Sequence, residues 1–421
     1  MVCLPHGKQH YKWMTTLVPI SAISGGLGIF IPLYIIYLNG NVFDVGIAFA
    51  LYNLVSIPSS IIWGRLTDNY KKNKPFIMLS LLLTLPVLLG FILFQGLYNS
   101  YIYYSLYAVI ATAASPAINI LVMGTKRSRS LPRYFSRYAI FNLIGSITAF
   151  GFGILTSEKN PFIYLYILLG LNVIAILLAY FLIKDERLDL PENEIKKANG
   201  IFPLLNTLTS LPNIFVGSSM IKRVHNAILN VEKKRIYQLL GAIVLFNIGY
   251  YLFNTSYIPY LKIYGLSYSS IFTINLVNSI AQIAIFIYII KIKGGMHLNK
   301  LYTQSIFYRS SGYAIAILAV FVPGFFFATN IISYMIAGFA YAIWNLSSSV
   351  LLYDIVRGSK AGYYVGVWTG LLGGSAVFGA LLSGVLSTYI SYTATFLIAI
   401  VFTIFSGLLF AKNFNHKTKI K

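Results

Sequence analysis

Several apolar stretches of this chain carry amides and aromatic rings at helical spacing. Asn247, Tyr251 and Asn254 recur at i, i+4 and i+7 and so share one helix face. Tyr341, Trp344, Asn345 and Ser348 share another, and Asn275, Asn278 and Gln282 stand at i, i+3 and i+7. Ser115 and Asn119 lie one turn apart beside Pro116, where a kink is expected. Such groups can hold a neutral solute, because amides donate and accept hydrogen bonds and ring faces stack on sugars or apolar ligands. The same side chains also glue helices together. Residue by residue, the sequence leaves both roles open.

What these stretches lack narrows the chemistry further. No Asp, Glu or His lies near the middle of any long apolar run. Asp44 and Glu158 fall at run ends, and His6, His10, His225, His297 and His416 fall between runs. Proton relays and cation pores rely on buried titratable groups, so proton-coupled export of organic cations is disfavoured. Arg309 sits roughly two turns into its run and is expected to snorkel to the interface. No other cation is central, which disfavours exchange of organic phosphates. Cys3 is the single cysteine, so neither an intrachain disulfide nor a cysteine metal site can form. No metal and no cofactor is expected.

The elements that must position these residues are membrane helices. Hydrophobic residues make up 57% of the 421, charged residues 10%, and the formal net charge is +22. A soluble domain carries about 25% charged residues. Of 32 Lys and Arg, all but Lys159 and Lys262 fall in the two ends, in every second gap between apolar runs, or in the run turns that border those gaps, as Arg65, Arg137 and Arg309 do. Cations are retained on the cytoplasmic side during insertion, so both termini are expected in the cytoplasm. The charges are spread over short connections, which argues for an anionic leaflet as their partner and against nucleic acid. Twelve runs are long enough to span: 14–38, 45–66, 75–95, 101–124, 136–156 and 161–183, then 237–261, 267–290, 303–322, 330–355, 363–387 and 392–412. The first is too long for a signal-peptide core and is expected to remain as a span. Only helices or closed barrels satisfy their backbone in lipid, and runs this long are helical.

Tyr and Trp gather at span ends, among them Tyr11, Trp13, Tyr34, Tyr37 and Trp63, as an interfacial belt does. The long gap 184–236 opens on an acidic stretch and closes on a basic one. It divides the chain into bundles at 1–183 and 237–421, with 184–236 as a central cytoplasmic loop. Gly145 and Gly151 are echoed by Gly373 and Gly379 at a constant offset, a weak sign of internal repetition.

At the end of the second run the chain reads Gly64-Arg65-Leu66-Thr67-Asp68-Asn69-Tyr70-Lys71-Lys72-Asn73-Lys74. This resembles the signature loop of the major facilitator superfamily, with Gly64, Asp68 and Lys72 matching. Asn69, Lys71 and Asn73 depart from the pattern. The resemblance implies an all-α fold of twelve transmembrane helices in two six-helix bundles. It further implies that Asp68 caps span 11 and biases the state equilibrium, and that Gly64 permits close approach of span 2 to a neighbour. In the family a basic residue after the Asp pairs with an acid at the end of span 4. Asn69 and the Val122-Met123-Gly124-Thr125 end supply neither partner. The second half keeps Asp354, with Arg309 and Arg357 among its candidate mates. The glycines of span 5 resemble those that let family members pack and rock. The resemblance also places spans 1, 4, 7 and 10 around the cavity, so Ser115, Asn119, Asn247, Tyr251, Asn254, Tyr341, Trp344 and Asn345 are the substrate candidates.

The reading is a transporter that is not an enzyme. It moves a small neutral or lipophilic solute across the plasma membrane by alternating access, through efflux or facilitated transport, and is monomeric in the bilayer. The alternatives are a proton-coupled sugar or metabolite symporter, a membrane-embedded enzyme, and a receptor that has lost transport.

Overall fold

A computed structural model of the chain describes residues 9–70, 72–123, 131–156, 161–183, 231–291, 298–355 and 361–414. After a 3-10 turn at Gln9–Thr16 come twelve long helices. The first six are α1 Leu17–Tyr37, α2 Val42–Tyr70, α3 Lys74–Leu93, α4 Leu97–Met123, α5 Leu131–Thr156 and α6 Pro161–Leu182. The second six are α7 Val231–Ile263, α8 Tyr268–Lys291, α9 Leu298–Leu318, α10 Phe326–Ile355, α11 Ala361–Tyr389 and α12 Tyr392–Phe414. Each stands where the sequence places a span. α9 begins five residues earlier than expected and α7 six, so α7 enters the stretch assigned to the central loop. The rest of that loop, 184–230, lies outside the described residues.

Ten of the helices are long and apolar enough to cross a membrane by length and composition. That count is of the described residues. Twelve alternating helices put the start of α1 and the end of α12 on one side, here called the terminal face, and the connection between α1 and α2 on the far face.

The packing repeats itself. In the first bundle α1 packs on α5 and α6, α3 on α4 and α6, and α2 on α4. In the second, α7 packs on α11 and α12, α9 on α10 and α12, and α8 on α10. Adding six to each helix of the first set gives the second. The bundles meet along two seams that obey the same rule, α2 on α11 and α5 on α8. Parallel repeats about an axis along the membrane normal produce such a pattern.

Glycines allow backbones to close at particular crossings, because only a hydrogen occupies the contact. A Cβ on Gly145 of α5 would collide with the Val18 carbonyl oxygen of α1. On α11, a Cβ on Gly379 would stand 2.8 Å from Tyr251 Cβ, and one on Gly373 would stand 2.5 Å from Ile57 Cγ1. Two expectations are corrected. A Cβ on Gly151, or on Gly64, would meet nothing within 4 Å. Gly151 therefore buys no close contact, and Gly64 does not mark an approach of α2 to a neighbour in this state. The echo between the halves is one of helix pairs: Gly145 and Gly379 serve equivalent crossings, α5 on α1 and α11 on α7, although the constant offset pairs Gly145 with Gly373.

Candidate functional site

A cavity of about 280 Å³ lies between the bundles. From the first bundle its wall takes Gly25, Gly28 and Ile29 of α1, Phe49, Tyr52 and Asn53 of α2, and Tyr104 of α4. From the second it takes Tyr250, Tyr251, Asn254, Thr255 and Ile258 of α7, Asn275 of α8 and Tyr334 of α10. A Cβ on Gly28 would enter open space, whereas one on Gly25 would stand 2.6 Å from Ser146 Oγ of α5.

Rings stiffen both walls. Tyr52 stacks on Tyr104 with centroids 4.5 Å apart, and Phe49 meets Tyr104 edge-on at 5.7 Å. Opposite them, Tyr250 packs against Tyr251 at 5.3 Å and Tyr341 at 5.0 Å, while Tyr334 stacks on Tyr257 at 4.5 Å. Hydrogen bonds then orient the polar tips. The Asn53 amide donates to its own helix at Phe49 O, 2.7 Å, which turns Oδ1 toward the Tyr251 hydroxyl at 3.4 Å. The Tyr334 hydroxyl donates to Asn254 Oδ1, 3.4 Å, and Asn275 Nδ2 donates back to Ile271 O, 2.9 Å.

A second cavity, of about 300 Å³, lies within the first bundle. Its wall mixes aliphatic side chains with hydroxyls and one amide, among them Ser21, Ser24, Thr84, Ser115, Tyr138 and Asn142. Ser21 donates to Asn142 there. The two cavities follow one another along α1, and Tyr52 stands in the wall of both. Around them the α5–α8 seam is packed at both ends. Toward the far face, Gly153 lies under the Phe272 ring, which also meets Tyr164 at 5.1 Å. Toward the terminal face, Ala139, Ile140 and Leu143 pack against Phe286, Ile289, Ala342 and Leu346.

The structure sorts the residues picked out by the sequence. Tyr251 and Asn254 line the central cavity, and Ser115 lines the second. Asn247 does not reach the cavity: its Nδ2 donates to Leu372 O, 2.9 Å, and to Ser375 Oγ, 2.7 Å, both on α11. Trp344 is a correction too, since it lies buried with its ring flat on Phe246, centroids 4.2 Å apart. Tyr341 sits one ring behind the wall, and Asn345 is half-buried, its carbonyl accepting from Ser348. Lys72 is exposed. The side chains of Asn119, Asp68 and Asp354, and all of Arg357, lie outside the described residues.

Arg309 is the largest correction. It is 2% exposed and does not snorkel. Its Nε donates to the Tyr313 hydroxyl, 2.6 Å, one Nη donates to Ala337 O of α10, 2.7 Å, and the guanidinium lies over the Tyr250 ring at 4.8 Å. Among the described residues no acid pairs with it.

Tyr52, Asn53, Tyr250, Thr255 and Tyr334 were not singled out by the sequence, and Tyr104, which the sequence groups with the span-end belt, is instead buried in the cavity wall. Phe49, Tyr52 and Asn53 do fall at i, i+3 and i+4, a face that could have been read.

The sequence profile of the Major Facilitator Superfamily matches residues 14–329. No curated protein sequence matches the chain. Its fold is similar to that of a mutant of the nucleoside transporter NupG, at 15% identity and a TM-score of 0.65, covering 96% of this chain and 99% of that one. It is also similar to a peptide transporter, POT, solved as a mutant with sulfate, at 12% identity and a TM-score of 0.69, covering 98% and 96%. Identities this low speak for the fold alone. The profile match, spanning most of the chain, together with two pseudo-equivalent six-helix bundles around a shared cavity, makes the chain a membrane transporter of the major facilitator superfamily.

Proposed function

We propose that the central cavity is the solute site and that the solute is small, ring-bearing and rich in hydrogen-bonding groups. One observation carries this reading: both bundles contribute stacked tyrosines and oriented amides to the same space. Five tyrosines and the amides Asn53, Asn254 and Asn275 line it. At about 280 Å³ the cavity lies at the low end of ligand sites, which suits one or two rings. So polar a wall weakens the case for a purely lipophilic cargo.

Transport proceeds by rocking of the bundles about the α2–α11 and α5–α8 seams, with Tyr52 passing the solute between the two cavities. No carboxylate among the described residues lines either cavity, which supports facilitated movement or efflux without a proton relay. The segregation of Lys and Arg supports a plasma-membrane protein with the terminal face in the cytoplasm. The matching loop at Gly64, Asp68 and Lys72 supports a conformational role at that face.

The test is flux in proteoliposomes of the purified chain, using uracil, uridine, glucose and the pyrimidine carboxylate orotate, with and without an imposed pH gradient. Equilibration of at least one ring solute, insensitive to the gradient and slowed at low solute concentration in Tyr52→Ala and Asn254→Ala, is expected. Gradient-driven accumulation would overturn the uncoupled mechanism. Flux untouched by both substitutions would overturn the site.

A further inference from the structure

Arg309 presents a fixed positive charge that no acid among the described residues neutralises. It stands eleven residues into α9, about 16 Å along the helix axis at 1.5 Å per residue, close to the middle of a hydrocarbon layer about 30 Å thick. A guanidinium cannot shed its proton in a protein, and an unpaired buried charge is costly. Its hydrogen bonds go to neutral groups, Tyr313 Oη and Ala337 O, and its two ring contacts are with Tyr250 and Tyr313. The remaining terminal nitrogen, Nη2, is fully buried without an acceptor.

Where the structure describes them, the acids of the chain stand near helix ends. Asp44 is held at the far-face end of α2 by Asn41 and Tyr101. Asp354 lies seventeen residues beyond Ala337 on α10, about 25 Å along that helix. The ring that covers the guanidinium, Tyr250, is also cavity wall. The charge therefore sits one ring behind the solute site, where low dielectric lets its field persist.

Resting on the assignment of this cavity as the solute site, we propose that the site selects anions: its solute carries a carboxylate or similar negative group on its ring, and Arg309 is the specificity-determining residue. The charge attracts the anion across the Tyr250 side chain and repels cations of the same size, as fixed charges do along selective pores. This replaces the expectation of a neutral cargo, which assumed that Arg309 reaches the interface.

The potential in the cavity can be measured without knowing the solute. In a Cys3→Ser background, Asn254→Cys places one thiol in the cavity wall. Its labelling rates by sulfonatoethyl and trimethylammonioethyl methanethiosulfonate are compared in full-length protein, each divided by the reagent's rate with free 2-mercaptoethanol. The expected normalised ratio favours the sulfonate about tenfold or more. It falls about tenfold in Arg309→Gln and is kept in Arg309→Lys. A ratio at or below one in the Arg309 protein overturns the proposal by itself, whether or not Arg309→Gln folds. So does a ratio that Arg309→Gln leaves unchanged while the neutral methyl methanethiosulfonate labels both proteins at equal rates, because Arg309 would then only brace α9 against α10. If the neutral reagent fails to label Asn254→Cys at all, the cavity assignment itself falls, and anion selectivity with it.

Discussion

The Tyr251 hydroxyl of α7 reaches Asn53 Oδ1 of α2 across the space between the bundles, at 3.4 Å. A bond of that length is weak by geometry. It joins the two bundles that the proposed rocking would separate, and it does so on the wall of the central cavity.

Removing that bond tests whether it holds this state. Net hydrogen-bond contributions are about 0.5–1.5 kcal/mol, and a 3.4 Å bond belongs at the lower end. Tyr251→Phe keeps the ring and loses only the donor. Its thermal stability in detergent should stay within about 1 kcal/mol of the parent. The initial rate of solute flux should change about two- to fivefold, because the equilibrium between states moves by the energy of the bond. An unchanged flux would mean that the contact does not limit the conformational step.

Asn247 and Asn254 lie on one face of α7, two turns apart, yet the structure gives them opposite work. Asn247 spends its amide on α11, at Leu372 O and Ser375 Oγ. Asn254 lines the cavity and accepts from Tyr334. Asn247→Ala should lower stability by about 1–3 kcal/mol, since it removes two hydrogen bonds between helices, each worth about 0.5–1.5 kcal/mol. Whatever protein remains folded should keep its apparent KM. Asn254→Ala should leave stability nearly unchanged and raise the apparent KM. Thermal denaturation alongside flux kinetics separates the two, and a KM effect confined to Asn247→Ala would reverse the assignment.

Asp44 illustrates a carboxylate whose work is structural. Asn41 and Asp44 form a reciprocal cap on α2: Asn41 N–H donates to Asp44 Oδ2, 2.7 Å, and Asp44 N–H donates to Asn41 Oδ1, 3.2 Å. The other carboxylate oxygen accepts from the Tyr101 hydroxyl of α4, 2.8 Å. Loss of a cap costs about 0.5–2 kcal/mol. Asp44→Ala should therefore destabilise the protein by about that amount, with flux rescaled only by the folded fraction. Abolished flux in fully folded Asp44→Ala protein would make this the missing coupling acid.

How far the sequence could be read follows from which forces are local. Span positions were legible because each apolar run needs only its own composition, and cation segregation fixes the alternation of faces. The side chosen by a polar residue is a tertiary matter. Asn247 and Asn254 look alike in sequence, and only the position of α11 tells them apart. The cavity tyrosines, Tyr52, Tyr104, Tyr250 and Tyr334, were hidden among the 33 tyrosines of the chain, most of which suit an interfacial belt equally well. Arg309 was misread through one boundary. A span starting at 303 leaves it within reach of the interface, whereas a helix starting at Leu298 takes it more than three turns deep, and the side chain then turns inward onto rings and a carbonyl.

Gly145 and Gly151 offer a matched pair for the last expectation. Both lie in α5, six residues apart, and composition gives no reason to treat them differently. A methyl group on Gly145 would strike the Val18 carbonyl oxygen and crowd Ala22 N at 3.0 Å, so α1 and α5 would have to part along their crossing. Backbone atoms cannot swing aside as a side chain can, and overpacking of this kind costs about 1–3 kcal/mol. At Gly151 the same methyl enters open space. Alanine there should be neutral or slightly stabilising, by up to about 1 kcal/mol, because it also removes the glycine's freedom in the unfolded chain. Paired thermal denaturation of Gly145→Ala and Gly151→Ala in the same detergent reads the difference directly. Equal stabilities would mean that α1 and α5 do not close on each other at Gly145, and the wall that α1 presents to both cavities would have to be redrawn.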